Sequence, residues 1–261
     1  GNVTSDGTRV NGNATIFTKE LKINDSITVG DITRIVTAIE SDTTLTIDTA
    51  FSDNLTEAKT FSINYLFAGT TEGGIFRSTD NGENWKQSNN ISKNPENTDF
   101  IPLVSTDVTD FVTYEKLGTG TITSDGVTVT GNGTAFKKEL TKDSIIIAAG
   151  ETRTVTEIID DTVIKINAPF NTNLPAKTTF KSHYLLAGTN SGVFCSQDNG
   201  NSWKPVNIGL KNRQVTALLV TNEGEIFAGT SDGIFRSNNN GFSWNSVNRN
   251  LPNRNITALT I

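Results

Sequence analysis

The 261-residue sequence predicts an all-β protein, and three observations predict it. Thr, Asn and Gly are abundant, while helix-favouring runs of Ala, Leu, Glu and Lys are missing. Short stretches of alternating apolar and polar residues are separated by Asn-Gly and Ser-Asp-Gly turns. The pattern S-x-D-x-G-x-x-W occurs at Ser78, Asp80, Gly82 and Trp85, and again at Ser196, Asp198, Gly200 and Trp203. A third copy, with Asn in the acidic slot, comprises Ser237, Asn239, Gly241 and Trp244, so the pattern uses all 3 tryptophans.

Each copy reads as a tight hairpin. The Gly supplies the positive backbone angle that a short turn needs. The Asp carboxylate is placed to accept backbone N–H groups of its own turn, in charge-assisted bonds of about 1.5–3 kcal/mol. The Trp opens the next strand and is expected to bury roughly 150–250 Å² against its neighbours. These twelve residues are therefore expected to be structural, not catalytic.

Taken in order, the chain alternates two kinds of repeat. Residues 1–65 and 118–183 are copies: Thr4-Ser5-Asp6-Gly7 matches Thr123-Ser124-Asp125-Gly126, and Phe17 and Leu21 match Phe136 and Leu140. About 65 residues of short alternating strands with a Val, Ile and Phe interior fit a small closed β-barrel. Residues 66–117 and 184–261 carry the other repeat. Phe67-Ala68-Gly69-Thr70 and Gly74-Ile75-Phe76 recur as Leu186-Ala187-Gly188-Thr189 and Gly192-Val193-Phe194, and as Phe227-Ala228-Gly229-Thr230 and Gly233-Ile234-Phe235. With the apolar run 215–220 in front, a unit has four strands, and the 41-residue spacing from Ser196 to Ser237 matches one propeller blade. The second unit's first strand is expected within 99–115. Residues 255–261 copy that first strand with nothing after them, whereas the first unit has no such strand before its insert. Exposed edges are normally paired. Ile256, Ala258, Leu259 and Ile261 are accordingly expected to form an assembly strand that completes a neighbouring molecule, giving a multi-chain ring or a filament.

The turns, set inside AGT and GIFRS units, resemble the Asp-box (BNR) repeats of β-propellers, a group that includes sialidases and sortilin-type receptors. The inserted modules resemble small SH3-like barrels. The resemblance implies an all-β protein of three four-stranded Asp-box propeller blades with two inserted small β-barrels. It also implies that the Asp-box is a structural hairpin away from any active site. A glycan-binding or adhesion module and an Asp-box glycoside hydrolase are the alternative functions it carries.

Composition narrows the chemistry. A net charge of −6 and a pI near 4.9 argue against nucleic acid or an anionic membrane as partner. No apolar run approaches the ~18 residues of a membrane span. There is no Met, so the chain is expected to be a processed product or a section of something longer. Cys195, the only cysteine, allows no internal disulfide and is expected to be a neutral surface or semi-buried thiol. His183 is the only His, which leaves no multi-His metal site, and no cofactor motif is present. A sialidase needs an arginine cluster, but Arg77 and Arg236 occupy equivalent repeat positions. Asp107, Asp110, Glu223 and Glu225 are available carboxylates with nothing to single them out. Lys211, Arg213, Arg249 and Arg254 fall in inter-unit loops and form a possible basic rim for an anionic glycan. The resulting expectation is a non-enzymatic, extracellular or cell-surface repeat protein that assembles through complementary strand edges.

Overall fold

The structure, a computed structural model, describes residues 1–52, 54–90, 103 and 106–261. Among them lie 23 strands and two four-residue helices. The chain divides into two compact units. One comprises Gly1–Leu66, Ser78–Trp85 and Leu117–Ser182; the other comprises Phe67–Arg77, Lys86–Lys116 and His183–Ile261.

The first sheet contains β1 (Asn2–Asp6), β2 (Arg9–Asn13), β3 (Ser26–Val29), β4 (Ile32–Ser41), β5 (Thr44–Ile47), β6 (Lys59–Thr60) and β7 (Ser62–Ile63), with α1 (Phe17–Glu20) between β2 and β3. Its order is β6-β1-β2-β5-β4-β3-β7. Only Phe61 separates the two edge strands, so one short run of chain pairs with β1 on one side and β3 on the other. The sheet is thereby curled almost closed. Alternation selects its core: Val3, Val10, Ile27, Val36 and Leu45 face inward, and the Phe61 ring meets Phe17 edge-on at 5.8 Å. The second sheet has three strands, β8 (Leu66–Thr70), β9 (Gly74–Ser78) and β10 (Lys86–Gln87), in the order β10-β9-β8.

The third sheet has nine strands: β11 (Val108–Leu117), β12 (Thr121–Asp125), β13 (Thr128–Asn132), β14 (Ile145–Ala148), β15 (Glu151–Ile158), β16 (Val163–Ile166), β17 (Phe180–Thr189), β18 (Gly192–Ser196) and β19 (Lys204–Pro205), with α2 (Phe136–Glu139) after β13. The ten-residue β17 pairs with β14 through Phe180, Lys181 and Ser182, and with β18 through Leu185 to Thr189. β11 also pairs with β17. The fourth sheet runs β20 (Val215–Val220), β21 (Ile226–Thr230), β22 (Gly233–Ser237) and β23 (Asn245–Ser246) in sequence order.

This topology overturns the expected propeller with two inserted barrels, and with it the Asp-box family resemblance. The sheets have seven, three, nine and four strands, with no recurring four-stranded blade. Only the first module approaches a barrel. In the second, the corresponding closure is a single bridge between Ile122 and Thr178, and its strands belong to the open nine-stranded sheet. The physical cause lies in β17. The run Phe180-Lys181-Ser182-His183-Tyr184-Leu185 contains no Gly or Pro to break the ladder where the repeat boundary was expected. A continuous strand makes module and repeat share one sheet.

The two module copies do retain one local device, an arginine clip. Arg34 Nε donates to Ala50 O at 3.0 Å and its guanidinium lies over Phe51. Arg153 Nε donates to Pro169 O at 2.9 Å, its guanidinium stacks 4.8 Å from the Phe170 centroid, and it pairs with Glu151. Buried at 2 % exposure, Arg153 is satisfied by carbonyls, a carboxylate and a ring together.

Candidate functional site: repeated turns and the contacts between sheets

The three Ser-x-Asp turns have closely matching geometry. Ser78 Oγ donates to Asp80 Oδ1 at 2.7 Å and accepts the Gly82 N–H at 2.9 Å. Asp80 Oδ1 accepts the Asn84 N–H at 2.9 Å. Ser196, Asp198, Gly200 and the Ser202 N–H repeat these bonds at 2.7, 2.9 and 2.9 Å. Ser237, Asn239, Gly241 and the Ser243 N–H do so at 2.9 Å each. Asn239 preserves the acceptor because its amide oxygen takes the carboxylate's place, and its amide nitrogen donates to Ser243 Oγ. Asn81, Asn199 and Asn240 each adopt positive φ just before the Gly, a conformation Asn tolerates. The Asn84 backbone N–H, reinforced by the Ser78 hydroxyl and the Asn84 amide, holds the Asp80 carboxyl down at about 2.

The tryptophans differ in what they touch. Trp203 and Trp244 are buried, whereas Trp85 is 42 % exposed. Trp203 lies edge-on to Phe67 with ring centroids 6.3 Å apart, and its Nε1–H points to Ser88 Oγ at 3.4 Å. Trp244 Nε1–H donates to Val206 O at 2.7 Å. The expectation of a buried Trp in each copy therefore fails at Trp85.

A second repeated contact runs through the glycines of the AGT segments. Cβ atoms at Gly69, Gly188 and Gly229 would lie 2.5 Å from Val108, 2.8 Å from Val215 and 2.6 Å from Ile256. In each case a β-branched residue from the following segment sits directly on bare backbone. Hydroxyls reinforce the stacking. Thr109 Oγ1 lies 3.0 Å from Gly188 O and 2.9 Å from Val215 O; Thr216 Oγ1 lies 3.0 Å from Gly229 O and 2.6 Å from Ile256 O. Asp110 Oδ2 accepts the Leu218 N–H at 2.7 Å.

The assembly-strand residues are consequently split. Ile256 is buried on its own chain's fourth sheet, with its N–H bonded to Thr230 O at 3.0 Å. Residues 257–261 form no strand; Ala258 is exposed, Leu259 half-buried and Ile261 79 % exposed. The expected completion of a neighbour's blade by this segment falls with the propeller, and so do the ring and filament built by strand exchange. The glycan-binding and glycosidase alternatives lose the same foundation. In the rim, Lys211, Arg249 and Arg254 are exposed and Arg213 is half-buried; Arg254 lies 3.8 Å from Asp232.

The remaining candidate groups have structural surroundings. Cys195 is not a surface thiol: burial pushes it up to about 12. Burial lowers the pKa of His183, opposed by Glu115. Asp107 Oδ1 accepts the Glu72 N–H and its Oδ2 the Asn190 amide. Glu225 lies 3.7 Å from Arg236. Tyr114 stacks on Tyr184 with centroids 5.1 Å apart, and the Asn240 amide donates to the Tyr184 hydroxyl at 2.9 Å. Sequence reasoning missed Thr109 and Thr216 and named Asp110 only as an available carboxylate; the matching Val-Thr pairs at 108–109 and 215–216 were the available signal.

Among the described residues, no group of three or more His, Cys, Asp or Glu is arranged to hold a metal, and no helix is long and apolar enough to cross a membrane. Fold and site together define an all-β protein whose polar side chains tie turns and neighbouring sheets. Comparison with protein-family models and with curated proteins finds no match.

Proposed function

We propose that this chain is a non-catalytic structural scaffold, an all-β protein that displays surface rather than transforming a substrate. The observation that carries the reading is the work its reactive side chains perform. Asp80 and Asp198 accept turn N–H groups, Asp110 accepts the Leu218 N–H, and Thr109 and Thr216 each bridge two backbone carbonyls. These groups are committed to backbone, which suits rigidity. An extracellular or cell-surface location belongs to the same reading and is supported by the Thr-, Asn- and Gly-rich, acidic composition.

The test is a broad panel of glycosidase, esterase, peptidase and phosphatase substrates. The expected result is no turnover above buffer. Turnover abolished by a single carboxylate substitution, such as Asp107→Asn or Glu223→Gln, would overturn the scaffold reading. Self-association through Leu259 and Ile261, which lie beyond the docked Ile256, is the partner proposal attached to it. Deleting 257–261 is expected to lower the concentration-dependent particle mass in sedimentation, and an unchanged mass would remove that partner proposal.

A further inference from the structure

We infer that Asn132 is a site of spontaneous modification: the backbone nitrogen of Gly133 displaces its side-chain amide, and an aspartyl or isoaspartyl residue takes its place. The reaction needs only water. As the Gly133 nitrogen gives up its proton to solvent, it bonds to Asn132 Cγ, and the Cγ–Nδ2 bond breaks with release of ammonia. Water then opens the cyclic succinimide at either carbonyl, leaving an aspartate or a backbone longer by one carbon. No oxidant or reductant is involved. Glycine favours ring closure because no Cβ shields its nitrogen and its backbone pivots readily.

The sequence contains five Asn-Gly junctions, and three Asp-Gly junctions that can close the same ring with water as the leaving group. What separates them is the hydrogen bond on the glycine nitrogen. A nitrogen whose N–H is donated is held away from the neighbouring carbonyl carbon and keeps its proton. In the three Ser-x-Asp turns, the N–H groups of Gly82, Gly200 and Gly241 donate to Ser78, Ser196 and Ser237 Oγ at 2.9 Å each. Gly12 donates to Thr43 O at 2.8 Å, and Asn11 before it is paired on both sides, with Thr4 and Thr44. The Asp-Gly junctions are tied as well. Gly7 donates to Asn54 Oδ1 at 2.9 Å, Gly126 to Asn173 Oδ1 at 3.4 Å and Gly233 to Arg254 O at 2.6 Å.

Gly133 is the exception. Among the described residues its N–H has no partner. Asn132 is the last residue of β13 and is exposed. A Cβ built on Gly133 would meet nothing within 4 Å, so the turn has room to pivot. The first module lacks the junction, because its matching residues are Asn13 and Ala14. The site also has a structural consequence. Asn132 pairs with Thr121 at the end of the β12–β13 ladder, and its carbonyl oxygen packs on Gly120, where a Cβ would lie 2.4 Å away. An extra backbone carbon does not fit that register, so the isoaspartyl product is expected to release the Thr121 pair. Either product adds one negative charge to the chain.

The experiment ages the whole folded chain in mildly alkaline buffer and maps its peptides by tandem mass spectrometry, with enzymatic methylation of isoaspartate as a second readout. Asn132 is expected to be half converted while Asn11, Asn81, Asn199 and Asn240 remain intact. In concentrated urea all five are expected to convert at comparable rates, since the folded hydrogen bonds are gone. A folded chain that converts another of the five first, or Asn132 no faster than the rest, overturns the inference. Asn132→Gln is expected to abolish the signal. Gly133→Ala is expected to slow it many-fold, and Ala14 shows that alanine is accepted at the matching position with φ +55. Ser237→Ala, which frees the Gly241 N–H, is expected to switch on conversion at Asn240 and leave Asn132 unchanged. If that variant does not fold, amide exchange of the wild type decides: Gly133 is expected to exchange at the unprotected rate and Gly241 far more slowly. A protected Gly133 amide would overturn the assignment. None of these readouts bears on whether the chain is catalytic.

Discussion

A tryptophan in the same local motif has very different worth according to what lies beside it. Trp203 is fully buried between Phe67 and Phe111, so Trp203→Ala is expected to cost about 3–5 kcal/mol in urea denaturation. Trp85→Ala removes a half-exposed ring and is expected to cost less than about 1 kcal/mol in the isolated chain. Equal costs at the two sites would contradict the packing described for them. Asp198→Ala is expected to cost roughly 1–3 kcal/mol, because the Ser202 N–H and hydroxyl both lose their acceptor. For Asp80 the readout is pH. A carboxyl held below its ordinary 3.8 contributes stability that is complete above that value and is lost as pH falls through about 2. Carboxyl-resolved NMR titration is expected to give Asp80 a midpoint near the lower value, and a midpoint at 3.8 would show that the turn bonds are not held in solution.

At the scale of elements, bare glycine backbone is what lets one segment lie on the next. Gly229→Ala would place a methyl group 2.6 Å from Ile256 Cγ2. The substitution is expected to cost about 1–3 kcal/mol by overpacking, and to raise amide exchange at Ile256, whose N–H bonds Thr230 O. Unchanged exchange there would mean that Gly229 does not hold the segment. In the arginine clip, Arg153→Met strands Glu151 and the Pro169 carbonyl. Its expected cost of roughly 3–5 kcal/mol is that of breaking a buried pair from one side. Both elements were partly legible. The repeated Arg-x-Val spacing at 34–36 and 153–155 was visible as a repeat, but a carbonyl cage is assembled from residues 15 or 16 positions away and leaves no local pattern.

For the molecule as a whole, the local units were far more readable than their arrangement. Turn chemistry is short-range, so Ser, Asp or Asn, and Gly at fixed spacing announce each hairpin in the sequence. The order of strands in a sheet is different, because it depends on whether a ladder stops or continues. At residues 180–185 nothing in the alternation marks the passage from one repeat type to the next, and β17 carries on through it. That continuity converted an expected blade and barrel into a nine-stranded sheet. The candidate site was legible in its donors, the three tryptophans, and illegible in its acceptors, since a backbone carbonyl such as that of Asn90 has no sequence signature.

By itself, then, the amino-acid order determined the all-β class, the three turns and the two alternating repeats, since each depends on residues close together in the chain. Which strands share a sheet, which tryptophan is left uncovered, and where Ile256 comes to rest were decided only in three dimensions. Those outcomes depend on hydrogen-bond ladders and packing partners dozens to more than a hundred residues apart, and local periodicity carries no information about partners at that distance.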